Sequence, residues 1–175
     1  MKRFIILMLS AMLLLPSCTF ERNEEVKSEK LERPDMVLER GTMQIHTGDE
    51  PVILSSNLIT YYSIDEYAEL GAFSFSQKDS DGNIRLEGSA DKGRIDTGTR
   101  VLTLEGEIHL KDIESGLTLQ TEGVLIFDIE NEEVTTDDSV MVEYEEGIFR
   151  GTGFYGNLKK EEYSFRKIEE GRLNV

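Results

Sequence analysis

One pattern of residues returns four times along this chain, at intervals of 32, 33 and 31 residues, with starts at Val52, Ile84, Leu117 and Ile148. Ile84-Arg85-Leu86-Glu87-Gly88-Ser89-Ala90 has counterparts in Val52–Leu58, Leu117–Gly123 and Ile148–Phe154. Each unit opens as a strand, kinks near Gly or Ala, continues as strand, passes a polar turn and returns. Val37–Ile45 reads as one further returning half-unit. Repeats of this length cannot bury an apolar face alone, so neighbours must stack into one continuous core.

Within each unit the period is two. Val101, Thr103, Glu105, Glu107 and His109 alternate with Leu102, Leu104, Gly106, Ile108 and Leu110, the signature of a half-buried strand. Turn chemistry separates the runs at Asp81-Gly82-Asn83, Glu114-Ser115-Gly116, Glu130-Asn131-Glu132, Glu145-Glu146-Gly147 and Asn157–Glu161. Ser63–Leu70 is the one stretch that could pass for a short helix. A kink repeated at the same place in every unit folds the sheet over on itself. The expectation is an all-β domain over residues 35–175, a jelly-roll of repeated antiparallel strand pairs with aliphatic side chains between two facing layers.

The segment before this domain has a different character. Met1-Lys2-Arg3 is a basic head, and Phe4–Leu15 is a 12-residue run with Ser10 as its one polar residue. That is short of the roughly 20 residues a membrane-spanning helix needs, and it fits a secretory signal peptide over residues 1–17. Leu15-Pro16-Ser17-Cys18 resembles the lipobox of bacterial lipoproteins, which implies cleavage before Cys18 and lipid attachment to it. A single cysteine allows no internal disulfide. Residues 18–34 then form a flexible, charge-dense linker that ends at Pro34 and can build no core. The sixteen residues from Thr19 to Pro34 hold the domain about 20–25 Å from the membrane on average.

The chain carries a net charge of −16, and loss of Lys2 and Arg3 with the leader makes it −18. Nucleic-acid partners are excluded, since phosphate binding needs stripes of Lys and Arg. Catalytic patterns are missing too. His46 and His109 are the two histidines, alternation puts His109 on the polar face, and no nucleophile elbow, zinc-protease motif or phosphate loop occurs. Asp79-Ser80-Asp81-Gly82-Asn83 has neither the sixth-position glycine nor the late glutamate of a calcium loop and reads as a hairpin turn. No enzymatic activity, cofactor or metal is expected.

Gly151-Thr152-Gly153-Phe154-Tyr155-Gly156-Asn157-Leu158-Lys159, with Tyr163-Ser164-Phe165 behind it, resembles the closing segment of the LptC family of lipopolysaccharide-export proteins. Gly82–Asp91 and Leu102–Leu110 resemble that family's internal strands, and the likeness runs from about Pro34 to Gly171. It implies a slightly open, V-shaped jelly-roll on the periplasmic side of the inner membrane. Such a module receives lipopolysaccharide, or a related glycolipid, from an inner-membrane ABC transporter and passes it toward the outer membrane. Its implied partners are the β-jelly-roll domain of an LptF/LptG-type transporter and an LptA-type bridge protein. Relatives keep a transmembrane helix where this chain carries the lipobox-like Cys18.

A lipid carrier must shelter acyl chains, at about 0.8 kcal/mol per buried methylene. The candidate lining is Leu86, Leu102, Leu104, Ile108, Leu119, Val140, Val142 and Phe154. Open sheets also leave unpaired edges that recruit strands from other chains. The candidate edges are the first strand, with Met36, Leu38 and Ile45, and the last, with Tyr163, Phe165 and Ile168. The competing expectation is a structural or surface-exposed β-repeat lipoprotein with a closed core and no lipid cargo. A metal- or sugar-binding module ranks last, for want of a ligand cluster or of any tryptophan.

Overall fold

Alternating apolar and polar residues at a period of two leave each strand one buried face, and hairpin turns at a spacing near 16 residues set strand length. The computed structural model describes residues 33–46 and 51–173. It holds nine antiparallel strands: β1 (Met36–Ile45), β2 (Val52–Tyr62), β3 (Tyr67–Lys78), β4 (Ile84–Asp96), β5 (Val101–Asp112), β6 (Leu117–Asp128), β7 (Glu133–Tyr144), β8 (Gly147–Asn157) and β9 (Glu162–Leu173). They form one sheet in the order β1 to β9, each strand paired with its neighbours in sequence. The four sequence repeats are the hairpins β2–β3, β4–β5, β6–β7 and β8–β9, and β1 is the half-unit. The expected leader, the linker before Arg33 and Cys18 lie outside the described residues.

Ser63–Leu70 is not helical. Ser63–Glu66 is a turn and Tyr67 already starts β3. Tyr62 and Tyr67 stack at 4.5 Å across that turn, and the Arg94 guanidinium lies 3.6 Å above the Tyr67 ring. The pairing partner, absent from any local pattern, decides the conformation here. The other turns follow their chemistry. Asp79 accepts from the N–H groups of Asp81 and Asn83 at 2.9 and 2.8 Å, an Asx-type turn.

The ladder breaks near the middle of almost every strand. Arg40, Asn57, Ala72 and Asp91 drop out of the pairing on β1 to β4, and Asp137, Gly153 and Arg166 do so on β7 to β9. Arg40, Ala72, Gly106 and Gly153 have φ of 53°, 37°, 91° and 67°, the left-handed region that bends a strand. Polar side chains take over the interrupted bonds. Ser56 Oγ donates to Leu58 or Gly71 carbonyls at 2.7 Å, and Thr136 Oγ1 donates to the Val124 carbonyl at 2.7 Å. These breaks form one fold line across the sheet; β5 and β6 alone stay paired through it, at Gly106 and Gly123.

On either side of the line lies one layer. The inner row of the first crosses all nine strands as Met36, Tyr61, Ala68, Ile95, Leu102, Phe127, Val134, Gly156 and Tyr163. The matching row of the second is Met43, Leu54, Phe75, Gly88, Leu110, Leu119, Val142, Phe149 and Gly171. Phe75 and Phe127 meet across the core at 5.8 Å. Gly88 leaves room for the Phe75 ring, whose Cζ would stand 2.5 Å from a Cβ there.

Candidate functional site: the space between the layers

All eight candidate lining residues point into the space between the layers. Leu102, Leu104 and Phe154 belong to the first layer, and Leu86, Ile108, Leu119, Val140 and Val142 to the second. None is more than 2% exposed, so each is packed as core in this state. At the β9 end the packing is aromatic. Phe154 meets Phe165 edge-on at 5.2 Å and Tyr163 at 6.3 Å, and Tyr144 reaches Tyr163 from the opposite layer at 5.9 Å.

The candidate edge residues sit on the two terminal strands, each paired on one side only. Met36 and Leu38 are 42% and 36% exposed although both belong to inner-facing positions, and Ile45 is buried. On β9, Tyr163 and Phe165 are partly buried against the core, whereas Ile168 is 56% exposed. The inner apolar surface therefore emerges into solvent at both edges. β9 also carries a bulge between its pairs with Arg150 and Gly151, and it presents Lys167, Glu169 and Glu170. A charged, irregular edge resists indiscriminate pairing.

The third boundary of the space is the long slit between the turn tips, opposite the fold line. Sequence reasoning missed its chief feature. Alternation with Leu86 would send Arg85 outward, but a bulge at the start of β4 re-aims it. Arg85 donates to both carboxylate oxygens of Glu132, from Nη1 and Nη2 at 3.0 Å, and to Gln77 Oε1 at 2.7 Å. Both partners are mostly buried. Nearby, burial pushes the pKa of Tyr163 up, Ser115 works against that shift, and Asp112 adds to it. Among the described residues no cluster of metal-ligating side chains occurs. His109 is exposed and contacts Glu107 at 3.2 Å.

An open, folded antiparallel sheet with an apolar interior is the arrangement expected of lipopolysaccharide-export modules. The chain matches the family model described as lipopolysaccharide-assembly, LptC-related, over residues 4–167. It belongs to the LptC family. No curated protein matches it. The LptC match starts at Phe4, the first residue of the apolar run Phe4–Leu15, and ends within β9. LptC proteins act in lipopolysaccharide transport, on the periplasmic side of the inner membrane and linked to it, as bridge components rather than enzymes. This LptC-family chain accordingly has a role in that transport, together with the Lpt transporter system.

Proposed function

We propose that this chain carries lipopolysaccharide, or a related glycolipid, with its acyl chains between the two layers and its polar headgroup in water. The supporting observation is that two inner rows cross all nine strands, and that their surface is part-exposed at Met36 and Leu38 on one edge and near Ile168 on the other. In this reading β1 receives cargo beside the β-jelly-roll domain of an LptF/LptG-type transporter. β9 hands it to an LptA-type bridge protein by strand addition. Lipid on Cys18 holds the domain at the inner membrane. Each methylene sheltered contributes about 0.8 kcal/mol, so the layers can be parted at the expense of their mutual packing and still gain.

Photo-crosslinking residues placed at Leu38 and Ile168 test the proposal in cells. Adducts with glycolipid at both positions are expected. Protein adducts alone at both would sink it. The complete burial of Leu86, Leu102, Leu104, Ile108, Leu119, Val140, Val142 and Phe154 favours a second reading, a structural lipoprotein with a closed core. That reading requires purified protein free of glycolipid and no transporter in a pull-down.

A further inference from the structure

The carrier reading leaves open how cargo reaches an interior whose walls are in contact. Cargo that passes from one terminal edge to the other with its headgroup in water needs the slit between the turn tips to open along its length. The fold line interrupts the backbone ladder on most strands, so the two layers are joined by a crease rather than by continuous sheet. A creased sheet opens by splaying at the far side. What stands there is the Arg85–Glu132 pair.

Several observations single this pair out. Of the ion pairs among the described residues, it is the one that ties the turn tip of one layer to that of the other. Irregular backbone aims both partners. Arg85 sits in a bulge, and Glu132 has φ of 55° in the β6–β7 turn. A cavity of about 520 Å³ lies around them, lined from both layers, with the apolar Ile129 and Leu158 in its wall.

We propose that Arg85 and Glu132 form the latch of the slit: the pair must part for the two layers to splay around acyl chains that travel from β1 to β9. The inference rests on the carrier reading above and adds the residues that control the opening of the slit. Both residues are positioning groups, since they hold the layers and need not touch the cargo.

The test measures the rate at which the purified full chain takes up fluorophore-labelled lipopolysaccharide from dilute solution. Arg85→Glu and Glu132→Arg place like charges at the slit. Each is expected to take up the probe several-fold faster than wild type, to the same final extent. The double variant R85E/E132R restores opposite charges and returns the rate to the wild-type value. Folded single variants with the wild-type rate would overturn the latch. So would a double variant that stays fast, which would mean general loosening. If the charge reversals do not fold, Arg85→Gln and Glu132→Gln serve instead: a smaller acceleration supports the latch and an unchanged rate overturns it. A wild-type chain that takes up no probe overturns the carrier reading and the latch with it.

Discussion

Asp138 leans over Gly123 at the fold line: its carboxyl carbon stands 2.6 Å from where a Cβ on Gly123 would be, and its Oδ2 accepts the Val124 N–H at 2.7 Å. Asp91 repeats the arrangement one hairpin earlier. It accepts the Glu107 N–H at 3.0 Å, and its Cβ lies 2.7 Å from the Cβ that Gly106 lacks. In both places an aspartate replaces a missing ladder bond, and a glycine makes room for it. Gly123→Ala should therefore destabilise by about 1–3 kcal/mol through overpacking. Asp138→Ala should cost about 0.5–1.5 kcal/mol through the lost hydrogen bond. The double variant should cost less than the sum, because the second change removes the obstacle to the first. Urea denaturation of the four proteins measures this, and strict additivity would mean that the two residues do not share the space.

Core and mouth respond differently to truncation. Phe154 is 2% exposed among Tyr163 and Phe165, so Phe154→Ala should lose about 3–5 kcal/mol. Ile168 is 56% exposed on the β9 edge, and Ile168→Ala should lose less than about 1 kcal/mol. The second variant, folded almost as well as wild type, is the one suited to transfer assays. A large loss from Ile168→Ala would mean that the edge is already covered.

Much of this architecture is legible in the sequence, for a physical reason. Leu102, Leu104, Ile108 and Leu110 alternate with polar residues because one face of β5 is buried, and that constraint acts locally on every second residue. The 32-residue spacing follows because each hairpin must reach the fold line at the same height as its neighbour. Tyr67 and Arg85 escape such reasoning. Tyr67 is in a strand because Ala68 and its neighbours pair with β4, residues distant in sequence. Arg85 faces inward because of one bulge that no alternation encodes. The eight lining residues were identifiable as inward-facing, but the contact between layers that buries them depends on the depth of the crease, which is a property of the whole sheet.

Acid should weaken the turns at a definable pH. Asn83 N–H lowers the pKa of Asp79, Thr99 N–H that of Asp96, and the Ser63 hydroxyl that of Asp35. A carboxylate whose pKa is lower in the folded state stabilises that state above its unfolded value. The contribution is lost as pH falls from the ordinary value of 3.8 through the lowered one. Stability followed by circular dichroism from pH 5 to pH 2 should fall in that window. Asp79→Asn should flatten part of the fall, and an unchanged slope would mean that Asp79 titrates alike in both states.

The anchor can be decided by mass. If Cys18 is lipidated, the mature chain begins at that residue and has lost Lys2 and Arg3. Its first peptide carries the mass of several acyl chains, which is what durable attachment needs, since one chain binds a bilayer only marginally. If residues 1–17 instead remain as an anchor, the first peptide begins near Met1 and bears no lipid. Cys18→Ala separates the outcomes further. In the lipidated case the variant is processed poorly or freed, so the membrane fraction holds either an uncleaved precursor or nothing. In the retained case it is distributed like wild type, with its first peptide unchanged. The comparison bears on transport as well, because a lipid cannot couple the domain to the transporter through helix contacts within the bilayer. A lipidated chain must then make its whole connection to the transporter through the folded domain, and in the proposed reading β1 is the edge that offers it.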